Sequence, residues 1–570
     1  MSIDGSVELK QFEQVELRPP STVMRLERMG SFFPTRLSFL RSLLRRLARD
    51  GMGLKRTAFK LDDDGFGQAV YDVMLDGQHY ALIAYSQALA PEDRTDRVIA
   101  EAWDTCFILF DGQPGPNDIS RLEGHATQQE AGQYDERVLV LSRANKSVRL
   151  FDHVVERLAD GQQPDAEMIG KIGYLMRTTA VYGNGKFGMA DRAEFMDRPS
   201  LSQPFRLEML TVYLIREFTL DLVNHVAAAR ASQNGKAGSA ELADQFRRQL
   251  GIGNSTGLGM APFLVGHPVL INNWMLVRET ALARVRAVET ASQSTRQEFL
   301  NLLQQTKAHL QQWQVDGQFE QDRIEKLRHN FNEMIPQCES LSQQVKPWDK
   351  LLRACEDGSS SLQELMVSLI LEPNGDIIDG LCECMEDTFG PKLDPVMNVD
   401  EVRQILTRHY DWAMQIDLTE EDQTAMVWYV SEEKAEPRLG ARAKDNKEHR
   451  EMPHAIPRKV QAFAADLQDL DGTTLLGEVL MRHPEHRDIA RRVQTVSNHP
   501  FAEIRDNLVA DNVRPIDLLR CKLSFFGASK FDPRSDRWTR ITLYQGAPTA
   551  RELTVENCGD VFLPAFEVDK

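Results

Sequence analysis

Two glycine-rich stretches carry the residue types of a ligand site. One is Tyr182-Gly183-Asn184-Gly185-Lys186-Phe187-Gly188. The other runs from Gly251 through Gly253, Asn254, Ser255, Thr256, Gly257 and Gly259 to Pro262. Glycine is costly in ordered chain unless the backbone needs its freedom or must come close to something. The Asn, Ser and Thr between the glycines supply hydrogen-bond donors. Pro262 and Pro268 each suit the first position of a helix, whose exposed N–H groups attract phosphate or carboxylate. The segment therefore suits an anion. No Gly-Lys-Ser/Thr follows, so it is not a phosphate loop of the Walker type. No strand is expected to lead into it, so it is not a dinucleotide fingerprint.

The chemistry around these stretches is acid–base and electrostatic. His267 stands between Gly266 and Pro268, where an imidazole can move a proton near neutral pH. Lys186 sits at the centre of the first turn, which Tyr182 opens. A lysine there can neutralise an anion or act as a base. Arg177 precedes this turn. Asn272 and Asn273 are poor helix formers that follow the second turn and can bond a ligand or loop backbone. The expected constellation has His267, Lys186 and Tyr182 as catalytic candidates. Arg177, Asn184, Gly185, Gly253, Asn254, Ser255, Thr256, Gly257, Gly259, Asn272 and Asn273 would contact the ligand.

Other clusters are weaker. Lys530, Asp532, Arg534, Asp536, Arg537, Trp538 and Arg540 crowd one turn, where alternating signs can satisfy each other. His483-Pro484-Glu485-His486, with His499 beyond, has metal-ligand types but reads as a surface turn. Cys382-Glu383-Cys384 lacks a second cysteine pair. No metal is expected. A phosphate-bearing organic cofactor fits the anion reading, although nothing identifies one.

The elements that must position these residues read as mainly α with mixed α+β terminal regions. At 570 residues the chain exceeds one ordinary core. Four regions are expected: an α+β part over 1–150, a helical core with the two turns over 151–268, a long helical hairpin over 269–395, and an α+β part over 396–570. Leu40, Leu43, Leu44 and Leu47 pattern a helix over 36–49 whose other positions are largely arginine. Such a helix can lie on an anionic membrane or a partner, or pair with the chain's own acids. Gln68–Leu75 and His79–Tyr85, separated by Asp76-Gly77, read as a β-hairpin, with Thr105–Phe110 a third strand. Met168, Ile169, Ile172, Leu175, Met176 and Thr179 predict one helix ending near Tyr182, and Phe205–Ala229 predicts a long buried helix.

From Val269 to Trp313 there is neither glycine nor proline, which predicts one helix of roughly 65 Å if unbroken. A returning helix should stop at Pro336. Such an arm packs on a second copy of the chain or on its own body, and a homodimer is expected. Ala425–Val430 and Thr539–Gln545 read as strands around a long loop over 438–459.

Composition bounds the partners. The 85 acidic and 67 basic side chains give a net charge of −18, which disfavours nucleic acid as a partner. No apolar run is long enough to span a membrane. No secretory leader is visible, and seven scattered cysteines suit reduced thiols, so a cytoplasmic location is expected. The function expected is a metabolic enzyme acting on a small anionic metabolite, with lyase or oxidoreductase chemistry. The alternative is a non-enzymatic helical scaffold working through its arm and its basic N-terminal helix.

Overall fold

The computed structural model describes residues 16–29, 35–51, 53–93, 102–128, 136–178, 198–257, 268–384, 392–417, 429–431, 437–438, 451–453, 456–505, 520, 522–535 and 538–560. It is an α/β protein, 55% helix and 14% strand, so the helical majority expected from the sequence holds. The strands, however, are not confined to the two ends of the chain. They include two from the middle that had been expected to be helix and loop.

The organising element is a nine-stranded sheet. In chain order its members are β1 (Lys55–Leu61), β2 (Gly67–Leu75), β3 (Gln78–Ser86), β4 (Thr105–Asp111), β5 (Val138–Lys146), β6 (Tyr174–Thr178), β7 (Gly251–Gly257), β11 (Lys530–Ser535) and β12 (Trp538–Leu543). Their spatial order is β1-β2-β3-β4-β5-β6-β7-β12-β11. The remaining strands, β8 (Tyr429–Ser431), β9 (Pro437–Arg438) and β10 (Glu451–Pro453), form a separate small sheet. The expected strand over Ala425–Val430 survives there as β8, its earlier residues lying outside the described ones. The expected 438–459 loop is interrupted by β10 and by helix Ile456–Leu467.

The meander follows from local chemistry. Asp76 and Gly77 take φ of 54° and 76°, the two left-handed positions a tight hairpin turn needs. Side-chain alternation then divides the sheet between two apolar layers. Tyr80, Leu82, Ala84, Phe107 and Leu109 enter the main core. Ala81, Ile83, Tyr85, Ile108 and Phe110 enter a smaller one on the other face, with Leu122 of helix Pro116–Gln128.

Helix Arg206–Gln233 is buried over most of its length, as its apolar composition predicts. It packs against β2, β3, β5, β6 and β7. Arg216 fixes its position. This buried guanidinium donates to the carbonyls of Arg247, Arg248, Leu250, Ala547 and Pro548.

The single helix expected to end near Tyr182 is instead a short helix, Ala166–Ile172, followed by strand β6. Gly173, at φ 80°, caps the helix in the left-handed region. The five residues after it are buried throughout. A short apolar run of this kind fits a central strand as well as a helix, and periodicity cannot separate them.

The long arm is also divided. Helix Pro268–Arg286 ends, and Ser292 caps a new helix, Gln293–Gln312, by accepting from the Thr295 N–H. Helix Gln318–Leu341 packs back on it and continues through Pro336, which had been expected to stop it. The cost is one main-chain hydrogen bond. Phe299, Leu303, Leu310, Ile324, Leu327 and Phe331 of this pair are buried in the chain's own main core. The arm thus packs on its own body, which removes the reason for expecting it to make a dimer.

The basic N-terminal helix, Phe39–Arg49, is likewise turned inward. Arg41 meets Glu372 at 2.6 Å, Arg36 and Arg45 meet Asp379, and Arg46 meets Asp50 and Asp76. These arginines thus pair with the chain's own acids, one of the readings that their spacing allowed. A second core joins helices Val399–His409, Ile456–Leu467, Leu476–Arg482 and Arg487–Asn498. Among the described residues no helix is long and apolar enough to cross a membrane.

Candidate anion site at the carboxyl edge of two parallel strands

Every described neighbour pair in the large sheet is antiparallel except one. β6 and β7 run parallel, with Tyr174 opposite Gly251, Met176 opposite Ile252 and Arg177 opposite Gly253. The two strands are joined through helix Arg206–Gln233, giving a β-α-β unit inside an otherwise antiparallel sheet. The carboxyl ends of parallel strands are where such units hold ligands. Here the carboxyl end of β6 leads toward the first glycine-rich stretch, and the donor-bearing residues of the second form β7 itself. Sequence alone could not say whether those stretches belong together. The parallel pairing sets the carboxyl end of β6, which precedes the first stretch in sequence, beside β7, which the second stretch forms.

The second glycine-rich stretch had been expected as a loop between helices. Its first seven residues are instead β7, enclosed between β6 and β12. Glycine serves packing there. A side chain on Gly251 would meet the Leu543 carbonyl oxygen at 2.2 Å, and one on Gly253 would meet the Tyr174 ring at 2.7 Å. The space beside Gly253 is thus filled by Tyr174.

Asn254 is 1% exposed and donates its amide to the Thr178 carbonyl at 3.0 Å. It ties the end of β6 to β7. The Thr178 hydroxyl donates in turn to the Arg143 carbonyl of β5 at 3.2 Å. Beyond Asn254, the backbones of Ser255, Thr256 and Gly257 pair with Arg540, Thr539 and Trp538 of β12. The basic turn noted near Lys530 is therefore the β11–β12 hairpin, and it opens at this same edge. Asp532 lies opposite Arg540, so opposite charges share a register position.

Register collects cations on one face. Arg177 is opposite Asn145, two residues from Arg143 on β5. It is also opposite Gly253, two residues from Ser255, which faces Arg540. Residues two apart on a strand share a face. Arg143, Arg177 and Arg540 therefore occupy the same face toward the same edge. Arg177 is buried, and the other two are partly exposed. Asn145 is spent on structure: its amide accepts from the Asp104 N–H and donates to the Ala102 carbonyl.

The remaining predicted residues are distributed as follows. Asn272 lies one turn into helix Pro268–Arg286, where its oxygen accepts from the Phe501 N–H at 3.0 Å and its nitrogen donates to Asn273. It satisfies loop backbone. Tyr182, Asn184, Gly185, Lys186, Gly259 and His267 lie outside the described residues, as do the side chains of Ser255 and Thr256.

A separate concavity was not forecast as a site from the sequence. It opens at the opposite end of β7, holds about 1120 Å³, and is lined by Arg36, Arg45, Arg248, Glu298, Asp379 and Asp560 among others. Its cations are engaged internally. Arg36 holds Asp379 through two hydrogen bonds of 2.7 and 2.9 Å. Arg248 donates to the Gly546 carbonyl and to Asp560. Burial and the charges of Glu372, Asp560 and Asp376 push the Glu298 carboxyl up, against the pull of Arg36. The arginine-rich spacing of the N-terminal helix was the only advance signal of this groove. Its acids come from far along the chain.

No protein-family model, no curated protein and no solved structure matches this chain.

Proposed function

We propose that the carboxyl edge of β6 and β7 binds a small anionic metabolite, carboxylate- or phosphate-bearing, and that the chain is a metabolic enzyme acting on it. The observation that carries the reading is the one parallel strand pair among the described residues, with β6 running toward the first glycine-rich stretch and the donor-bearing residues Asn254, Ser255 and Thr256 in the carboxyl half of β7. In this reading Arg177 binds the anion, supported by Arg143 and Arg540 on the same face. Asn254 is a positioning residue, because it fixes the end of β6 to β7. Ser255 and Thr256 add donors, Lys186 neutralises charge, and His267 moves a proton. Proton transfer beside a held carboxylate is chemistry shared by lyases and by oxidoreductases of hydroxy acids. An organic cofactor carrying phosphate would use the same cations.

A ligand that binds only the folded chain raises its melting temperature with concentration. Inorganic phosphate or succinate is expected to raise the melting temperature of the wild-type chain saturably. Lys186→Ala is expected to lose most of that shift while keeping its ligand-free melting temperature. A full shift in Lys186→Ala would remove this lysine from the site.

A further inference from the structure

The second core carries a cluster that the anion site does not use. Asp466 lies at the end of helix Ile456–Leu467. His483 caps helix Leu476–Arg482. Glu485 and His486 belong to the single turn Pro484–His486 that follows. One donor atom from each lies within 4.8 Å of the other three. His483 Nδ1 is 3.5 Å from Asp466 Oδ2 and 3.4 Å from Glu485 Oε1. His486 Nε2 is 2.7 Å from the same Asp466 oxygen.

These separations are close to those of a tetrahedral metal shell. Bonds of about 2.0–2.1 Å to zinc set neighbouring ligand atoms roughly 3.3–3.4 Å apart. Two of the three contacts already have that spacing. The third is a hydrogen bond that must open by well under ~1 Å. His486 is held for the purpose: its ring is buried and lies 5.2 Å from that of Phe463. An Asp466–His486 ion pair alone would explain one contact. It would not bring His483 and Glu485 to the same point.

We infer that Asp466, His483, Glu485 and His486 form a binding site for one divalent ion of the zinc class, which staples the end of one helix to the turn between two others. Two imidazoles select zinc over calcium or magnesium, which prefer oxygen. Two carboxylates balance the dication. The site joins elements packed around the second core, and a metal held only by the folded chain adds its binding free energy to folding. Imidazole must be unprotonated to bind, so affinity falls as the solution is acidified.

The test is titration of the metal-free, tag-free full-length chain with Zn²⁺ against a chromogenic chelator, repeated with Co²⁺ to record its visible spectrum. His483→Ala and Glu485→Gln are the variants, since both side chains are substantially exposed and leave His486 packed on Phe463. The wild type is expected to take up one equivalent, with tetrahedral cobalt bands. His483→Ala is expected to weaken uptake by at least about tenfold and to abolish those bands. Absence of stoichiometric uptake by the wild type overturns the site. So does equal uptake by the wild type and both variants, which would put the metal elsewhere.

Discussion

Replacing Glu364 with glutamine is expected to lower the unfolding free energy by about 3–5 kcal/mol, the range for breaking a buried ion network from one side. The Glu364 side chain is fully buried and accepts from Arg18 and Arg28, each at 3.0 Å, and from Arg278. Glu279, also fully buried, takes two further bonds of 2.8 Å from Arg18. Three guanidiniums therefore share two carboxylates. Removing one carboxylate leaves three cations facing a single counter-charge in a low-dielectric interior. The residues come from the N-terminal segment and from helices Pro268–Arg286 and Ser360–Leu371, so the loss should loosen the N-terminal segment first.

The same group fixes a pH dependence. Burial pushes the Glu364 carboxyl up, but the charges of Arg18, Arg278 and Arg28 outweigh it and hold the group well below the usual carboxylate range. A depressed folded value means its stabilisation is present above the unfolded value, about 4.3. It is lost as pH falls from there toward the folded value. Urea unfolding at pH 7 and near pH 3, inside that window, checks both points. The wild type should lose stability between them, and Glu364→Gln should be weaker at pH 7 and lose less on acidification. A difference under ~1 kcal/mol at pH 7 would show that the network contributes little.

Arg216→Met is expected to cost about 3 kcal/mol or more. Methionine keeps much of the apolar stem while removing all donors. The carbonyls of Leu250 and Ala547, each at 2.8 Å, would lose this donor outright, whereas those of Pro548, Arg247 and Arg248 keep the Tyr213 hydroxyl, the Leu250 N–H and the Gly546 N–H. Each buried acceptor left unpaired costs roughly 1–3 kcal/mol, less where others take over. The carbonyls belong to the residues just before β7 and just after β12, so the variant should also loosen the strand that carries the candidate site. Thermal unfolding measures the first effect, and amide exchange in β7 the second. Unchanged exchange there would separate Arg216 from the site's rigidity.

Local signals were legible where neighbours in sequence are neighbours in space. Asp76-Gly77 announced the β2–β3 turn, and the apolar run after Phe205 announced the central helix. β7 was not legible. Gly, Asn and Ser are poor strand formers, and the strand exists because Tyr174 fills the space beside Gly253 and β12 pairs along its other side. Both partners are remote in sequence. The basic helix was legible as a helix, but its role depended on Glu372 and Asp379, which no local pattern links to it. Arg177 was a candidate from its place before a glycine turn. That it shares a face with Arg143 and Arg540 required the register.

The most direct test of the anion site is calorimetric titration of inorganic phosphate, and separately succinate, into three proteins: wild type, Arg177→Met, and Arg248→Met at the opposite end of β7. The account predicts saturable binding of at least one anion to the wild type. It predicts the same affinity in Arg248→Met and an affinity at least about tenfold lower in Arg177→Met, since a charged hydrogen bond contributes roughly 1.5–3 kcal/mol. Equal affinity in Arg177→Met and wild type, or no binding of either anion to the wild type, would contradict it.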